Sequence, residues 1–199
     1  MKRTYTALLN VCLLATLLTP LYASANDSAN PKIGPFVGLS IGGADISADA
    51  IGVARTGETE HGQGAAKLTA GYWFSKHWGV AASYVDLGEF TQTYSSGSFS
   101  GSAQSVGLGL LARLPINDRW NVVAKATLTR NKTKQESVTG DAAQFTQLSG
   151  KSSNLVLPGL EVNYRVNDSA TVFFEAESRG AIADKASAAY AGFGLRWHF

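Results

Sequence analysis

The stretch AGFGLRWHF, residues 191–199, holds two alternating sets of side chains. Phe193, Leu195, Trp197 and Phe199 fall on one side of a period-two pattern, and Gly192, Gly194, Arg196 and His198 fall on the other, as successive residues of a strand do. One face is wholly apolar. The other carries glycines, an arginine and a histidine, an odd choice for a strand whose polar side faces water around a compact soluble core.

Seven further segments upstream show the same alternation, and no window places apolar residues at i, i+3, i+4 and i+7. The spacing predicts strands at roughly 35–45, 63–74, 78–91, 100–114, 119–131, 152–166, 169–179 and 186–199. Tight, turn-like connections fall at Ser75-Lys76-His77, Pro115-Ile116-Asn117-Asp118 and Asn167-Asp168. The alternate connections, 46–62, 92–99, 132–151 and 180–185, are longer. Short on one side and long on the other is the pattern of an all-β, eight-stranded, antiparallel up-and-down barrel in an outer membrane, with periplasmic turns and extracellular loops.

The aliphatic and aromatic phase of each strand is free of charge, from Val37, Leu39 and Ile41 in the first to Phe193, Leu195 and Trp197 in the last. The opposite phase holds Lys67, Arg113, Lys125, Glu161, Arg165, Glu175, Glu177 and Arg196 among Gly, Ser and Thr. A lipid-facing Arg or Lys near the midplane costs about 2–4 kcal/mol, so the apolar phase is read as outward and the lumen as polar. Phe74, Trp78, Trp120, Tyr164, Trp197 and Phe199 gather beside the tight turns, where a periplasmic-side aromatic girdle belongs. At Pro158-Gly159 the outward phase slips, which predicts a bulge.

The first residues speak to compartment. Lys2 and Arg3 precede an apolar run, and Ala23-Ser24-Ala25 follows it as a cleavage site, so residues 1–25 read as a secretory signal and 26–199 as the barrel domain. Cys12 follows Val11 rather than a small residue, against lipid attachment, and 26–199 contain no cysteine. Lys2 and Arg3 belong to the signal, which leaves 15 basic against 15 acidic side chains. A neutral domain gives no reason to expect nucleic acid as a partner.

These features resemble a known family, the small eight-stranded outer-membrane barrels typified by the transmembrane domain of outer membrane protein A and its relatives. The resemblance covers Phe36 to Phe199 and is carried by Phe36-Val37-Gly38-Leu39, Gly71-Tyr72-Trp73-Phe74, Tyr84-Val85-Asp86-Leu87-Gly88, Pro158-Gly159-Leu160-Glu161-Val162-Asn163-Tyr164 and Gly194-Leu195-Arg196-Trp197-His198-Phe199. It implies that the final aromatics, Phe199 above all with Trp197 beside it, signal to the barrel-assembly machinery. The peptidoglycan-binding domain of the larger relatives is expected to be absent. The resemblance also implies an inward cluster of paired charges, and Glu161 matches that position best. Lys125, Glu161 and Glu175 lie at similar heights above the tight turns, so Lys125 is expected to pair with Glu161 and Glu175 with Lys67 or another inward cation. The alternative is lumen charge solvated by water, without fixed partners.

No catalytic, cofactor or metal residues are expected. A lipid A or phospholipid-modifying barrel would need a base at the extracellular rim, where only His61 falls, with no evident serine or carboxylate partner. Gly107-x-Gly109 lies within a strand, Asn131-Lys132-Thr133 is a chance glycosylation match, and Asp45, Asp49, Glu58 and Glu60 lack cation-loop spacing. Tyr94 to Ser102 reads as a flexible loop and strand rim. The expectation is a structural surface protein of the bacterial outer membrane, both mature termini periplasmic, meeting membrane lipid, lipopolysaccharide and a host or surface ligand through its loops. A narrow pore is the alternative, beside the lipid-modifying enzyme.

Overall fold

The computed structural model describes residues 32–48, 60–61, 64–95, 97–140, 149–183 and 186–199. The expected signal, 1–25, lies outside them, as do Asp49 and Glu58. The strands are β1 (Gly34–Ala48), β2 (Glu60–His61), β3 (Ala65–Trp73), β4 (Trp78–Tyr94), β5 (Gly97–Pro115), β6 (Trp120–Gly140), β7 (Gly150–Arg165), β8 (Ala170–Ala183) and β9 (Ala186–His198). Eight form an antiparallel ring in the order β4-β3-β1-β9-β8-β7-β6-β5, with β5 back on β4. The closing ladder runs from Phe36↔His198 to Ala48↔Ala186. Closure pairs every strand on both sides, the ring opening only at the far end between β7 and β8, whose ladder stops at Gly159↔Glu177. The short β2 pairs with β4 at Glu60↔Thr91 and His61↔Phe90, so His61 belongs to the sheet rather than to a loop.

One end of the barrel is made by three turns of the same construction. In each, two amides donate to one carbonyl: Phe74 and Ser75 to Trp78, Ile116 and Asn117 to Trp120, Val166 and Asn167 to Ala170. A polar side chain then caps the returning strand. Ser75 Oγ accepts from the Trp78 amide at 2.9 Å, Asn117 Oδ1 from Trp120 at 2.8 Å and Asn167 Oδ1 from Ala170 at 2.8 Å. Serine and asparagine favour such turns because the side chain reaches a backbone N–H a few residues on.

Above this turn end the outer face is apolar on every strand. Leu39, Leu68, Leu108, Leu128, Leu160, Phe174 and Phe193 are all exposed. A continuous exposed band of this kind is stable only against an apolar solvent. The inward phase of the same levels holds the ionisable residues, together with Trp73 and Phe36.

At the far end the pattern reverses while its phase is kept. In β5, Ser98, Ser100, Ser102 and Gln104 alternate with buried Phe99 and Ala103, and Val106, Leu108 and Leu110 then carry the outer face. In β6 the outer face changes from Leu128 to Arg130, Lys132 and Lys134. The far end is thus built like a soluble barrel. Its core consists of Ile46, Val85, Leu87, Phe90, Tyr94, Phe99, Ile182 and Tyr190 with five alanines. The lumen is therefore mainly apolar at this level rather than polar throughout, with Gln92, Asn131 and Thr133 buried among the apolar side chains, because strands that continue past the apolar band meet water outside and must bury their apolar side chains inside.

This core also accounts for the length of the strands. Of the segments 92–99 and 180–185, read as loops, residues 92–94, 97–99 and 180–183 are strand: Tyr94 pairs with Gly97 and Ala183 with Ala186. β6 likewise continues to Gly140, well into 132–151. Within the stretch Tyr94 to Ser102, read as a flexible loop and strand rim, residues 97–102 are strand and Tyr94 and Phe99 are buried. A bulge between Asp86 and Glu89, with Gly88 at φ 78°, shifts the inward phase from Leu87 to Phe90, a backbone state open to glycine at no cost from Cβ.

The bulge expected at Pro158-Gly159 falls further along β7. Ala126↔Pro158 and Lys125↔Gly159 are in register, and the irregularity lies where Thr127↔Leu157 gives way to Thr129↔Asn154. Pro158 sits one residue past the last β7–β8 pair, Gly159↔Glu177, where a missing N–H removes no bond from that ladder. Beyond it side chains take over from the ladder. Asn131 Nδ2 donates to the carbonyls of Arg179 (2.8 Å) and Ala181 (2.7 Å), Asn154 Nδ2 to Ala181 (2.8 Å), and Thr133 Oγ1 to Ile182 (3.0 Å). Buried carbonyls left without partners would cost free energy. Asn131, matched above to a glycosylation pattern, is one of those partners.

Candidate functional site

Between the turn end and the apolar far core, seven side chains from five strands form one chain of alternating charge across the lumen. It begins at Arg196 of β9, whose two terminal nitrogens donate to the two oxygens of Glu161 at 2.7 and 2.8 Å. Lys125 Nζ lies 2.6 Å from Glu161 and 2.5 Å from Glu175. Lys67 Nζ lies 2.7 Å from Glu175 and 2.6 Å from Glu177, and Arg179 donates to Glu177. Ser40 Oγ donates to the other Glu175 oxygen at 2.7 Å and lies 3.0 Å from the Tyr190 hydroxyl.

The register explains why the order must alternate. Glu161 and Glu175 stand directly opposite each other on β7 and β8, a pairing that like charges oppose. Lys125 reaches both from β6, and it has room to do so because its own neighbour across the ladder is Gly159. A Cβ at that position would stand 2.9 Å from Glu177 Cβ and 3.3 Å from Lys125 Cβ. The small inward residues thus make space for the large charged ones.

Of the residues named from sequence, Lys67, Lys125, Glu161 and Glu175 all meet in this chain. Arg196, Glu177 and Arg179 complete it and were not assigned to it. Arg196 could have been placed by height, since it pairs with Thr171, only four residues below Glu175 on β8. Arg179 was hidden by its position at the end of an expected strand. Phe74, Trp78, Trp120, Trp197 and Phe199 are exposed on the outer surface at the turn end, and Tyr164 lies half-buried beside Trp120 with ring centroids 5.0 Å apart. Phe199 donates its amide to Pro35 O at 3.0 Å.

Nearer the turns, Arg113 lies over the Trp73 ring at 3.6 Å and Arg196 sits 4.8 Å from each of the Phe36 and Phe173 rings. Cations in this arrangement are held by the ring quadrupoles. At the opposite end of the chain, Arg130, Lys132 and Lys134 of β6 and Lys151 of β7 are exposed, with Lys132 and Lys151 directly opposite each other. Among the described residues no group of three or more His, Cys, Asp or Glu gathers as a metal site.

A model of the family described as outer membrane protein beta-barrel domain matches residues 11–199. Several solved structures are similar. Neisserial surface protein A is 15% identical at a TM-score of 0.53, over 83% of this chain and 97% of that one. The N-terminal β-barrel domain of Pseudomonas aeruginosa OprF is 10% identical at 0.52, over 84% and 98%. Ail of Yersinia pestis, solved with the heparin analogue sucrose octasulfate, is 12% identical at 0.51, over 84% and 100%. At these identities the likeness is one of fold. No curated protein matches the sequence.

Proposed function

The chain belongs to the outer membrane protein β-barrel domain family, and on that premise we propose that it is a closed, non-catalytic surface barrel of the bacterial outer membrane. Its turn end and both mature termini face the periplasm, the aromatic residues around Trp78, Trp120 and Trp197 form a girdle at that lipid–water boundary, and the far hairpins stand outside the cell. The observation that carries this reading is the filling of the lumen at two levels. The alternating charges from Arg196 to Arg179 occupy the lower level, and the apolar core around Phe90 and Phe99 the upper. An eight-stranded barrel is just wide enough for side chains to fill. Ions would have to displace paired charges and then cross a packed, mainly apolar layer.

Single-channel recording of heat-modifiable barrel from the outer membrane tests it. No steady conductance is expected, and steady conductance in the intact protein sinks the proposal in favour of the narrow pore. Export through residues 1–25 belongs to the same proposal, and an intact mass starting at Asn26 checks it.

The exposed cations favour a more specific reading of the surface role. Arg130 is the next outward residue after Leu128, at the outer margin of the apolar band, and Lys132 faces Lys151 across the ladder. Like charges so placed repel unless an anion lies between them, and the phosphorylated head groups of lipopolysaccharide stand at that height. Lipopolysaccharide vesicles are expected to raise the urea midpoint of the protein above that in phosphatidylcholine. A Lys132→Gln/Lys151→Gln variant should lose the difference, and sucrose octasulfate should compete for the wild type. An equal midpoint in both vesicle types excludes this partner.

A further inference from the structure

The turn-end mouth of the barrel holds donors with nothing to bond. Arg113 and Asn163 are 4% and 1% exposed. Arg113 Nη1 and Asn163 Nδ2 have no hydrogen-bond partner among the described residues, and neither has Arg196 Nε. All three residues line one cavity at this mouth, together with Lys32, Arg165 and His198. Stacking on Trp73 fixes the plane of the Arg113 guanidinium without taking up any of its N–H groups. The buried carboxylate of Glu161 is already shared between Arg196 and Lys125. A buried donor without an acceptor is costly, and more so when it is charged.

We propose that this mouth is a binding site for a phosphate-class oxyanion, with the buried donors of Arg113 and Asn163 aimed at it and Arg165 and Lys32 at its rim. A planar guanidinium offers paired N–H groups that match two oxygens of such an ion, and the Asn163 amide supplies a further donor to a third. Arg165 is positioned at the rim by its own bond to the Asp118 carbonyl, 2.5 Å, and Lys32 by one to His198 O, 3.3 Å. The Asp118 and Asp168 carboxylates line the same opening and offset these two outer cations. Binding therefore depends on the buried pair rather than on net rim charge.

The same chemistry is offered by free phosphate and by the headgroup of a phospholipid at this boundary. The experiment uses the full mature barrel folded in maltoside micelles, a detergent without phosphate, and follows the Asn163 and Thr171 amide resonances. One titration adds inorganic phosphate and the other adds phosphatidylglycerol to the micelle. Saturable shifts with phosphate assign the free ion, and saturable shifts only with the lipid assign the headgroup. In either case Arg113→Gln should weaken binding at least tenfold. Asn163→Asp, which preserves the side-chain shape but turns a donor into a repelling acceptor, should do the same, with boiled and unboiled gel mobility confirming the fold of each. No saturation with either ligand, or unchanged affinity in whichever variants fold, overturns the site.

Discussion

Replacing Glu161 by alanine is expected to lower the free energy of unfolding by about 3–5 kcal/mol, the range for removing one partner of a buried ion pair. The size follows from what is left behind. Arg196 loses both short bonds to Glu161 and keeps only a 3.4 Å bond from one terminal nitrogen to Asn163 Oδ1, and Lys125 keeps only Glu175. Lys67 and Arg179 remain paired further along the chain, so the uncompensated charge is confined to the Arg196 side. Urea unfolding in lipid vesicles, followed by the heat-dependent gel shift, measures the change. A loss below about 1 kcal/mol, as for exposed pairs, would mean that the lumen charges are solvated independently and that the alternating chain does not act as a unit.

Phe99→Ala is expected to cost about 3–5 kcal/mol, the usual range for a buried phenylalanine. Phe99 has no exposure and packs against Phe90 at a centroid distance of 5.9 Å. It lies beyond the outer apolar band, so the cost arises only if the far hairpins unfold cooperatively with the rest. Leu108→Ala, on the lipid-facing side of the same strand, opens no internal cavity and should cost less. The same urea series distinguishes them. Equal, small losses for both would mean that the far ends of β4 and β5 fray separately from the barrel.

The ring of eight strands was legible because its evidence is distributed: each strand repeats the alternation, and the turns lie in sequence between neighbours. Lys125 and Glu161 could be brought together from sequence because adjacent antiparallel strands rise from turns that fix their relative height. Partners across the lumen are harder to place. Lys67 on β3 meets Glu175 and Glu177 on β8 through the interior, and no ladder joins those strands. The far core was missed because Ser95, Ser96, Gly97 and Ser98 read as a polar loop, while the two rings beside them, Tyr94 and Phe99, were discounted. From Ser98 on, the small polar residues mark an outward face in water, and the strand has already resumed at Gly97. The unpartnered donors of Arg113 and Asn163 were out of reach, since a missing acceptor is a property of the assembled interior and leaves no trace in spacing.

The reversal of polarity along β5 and β6 bears on which alignments of neighbouring strands are forbidden. Alternation alone fixes an alignment only up to even shifts: a slip of one residue turns every side chain to the wrong face, whereas a slip of two restores the pattern. A strand whose two halves are written for different solvents has no such freedom. Sliding β6 by two residues would bring Arg130 into the band now held by Leu128, or carry Leu128 out among the polar side chains of the far end. Every even misalignment is then penalised in proportion to its length, and the odd ones along both halves at once. The hairpin acquires an absolute zero on its own scale, set by the point near Gln104 to Val106 and Leu128 to Arg130 where one solvent ends and the other begins.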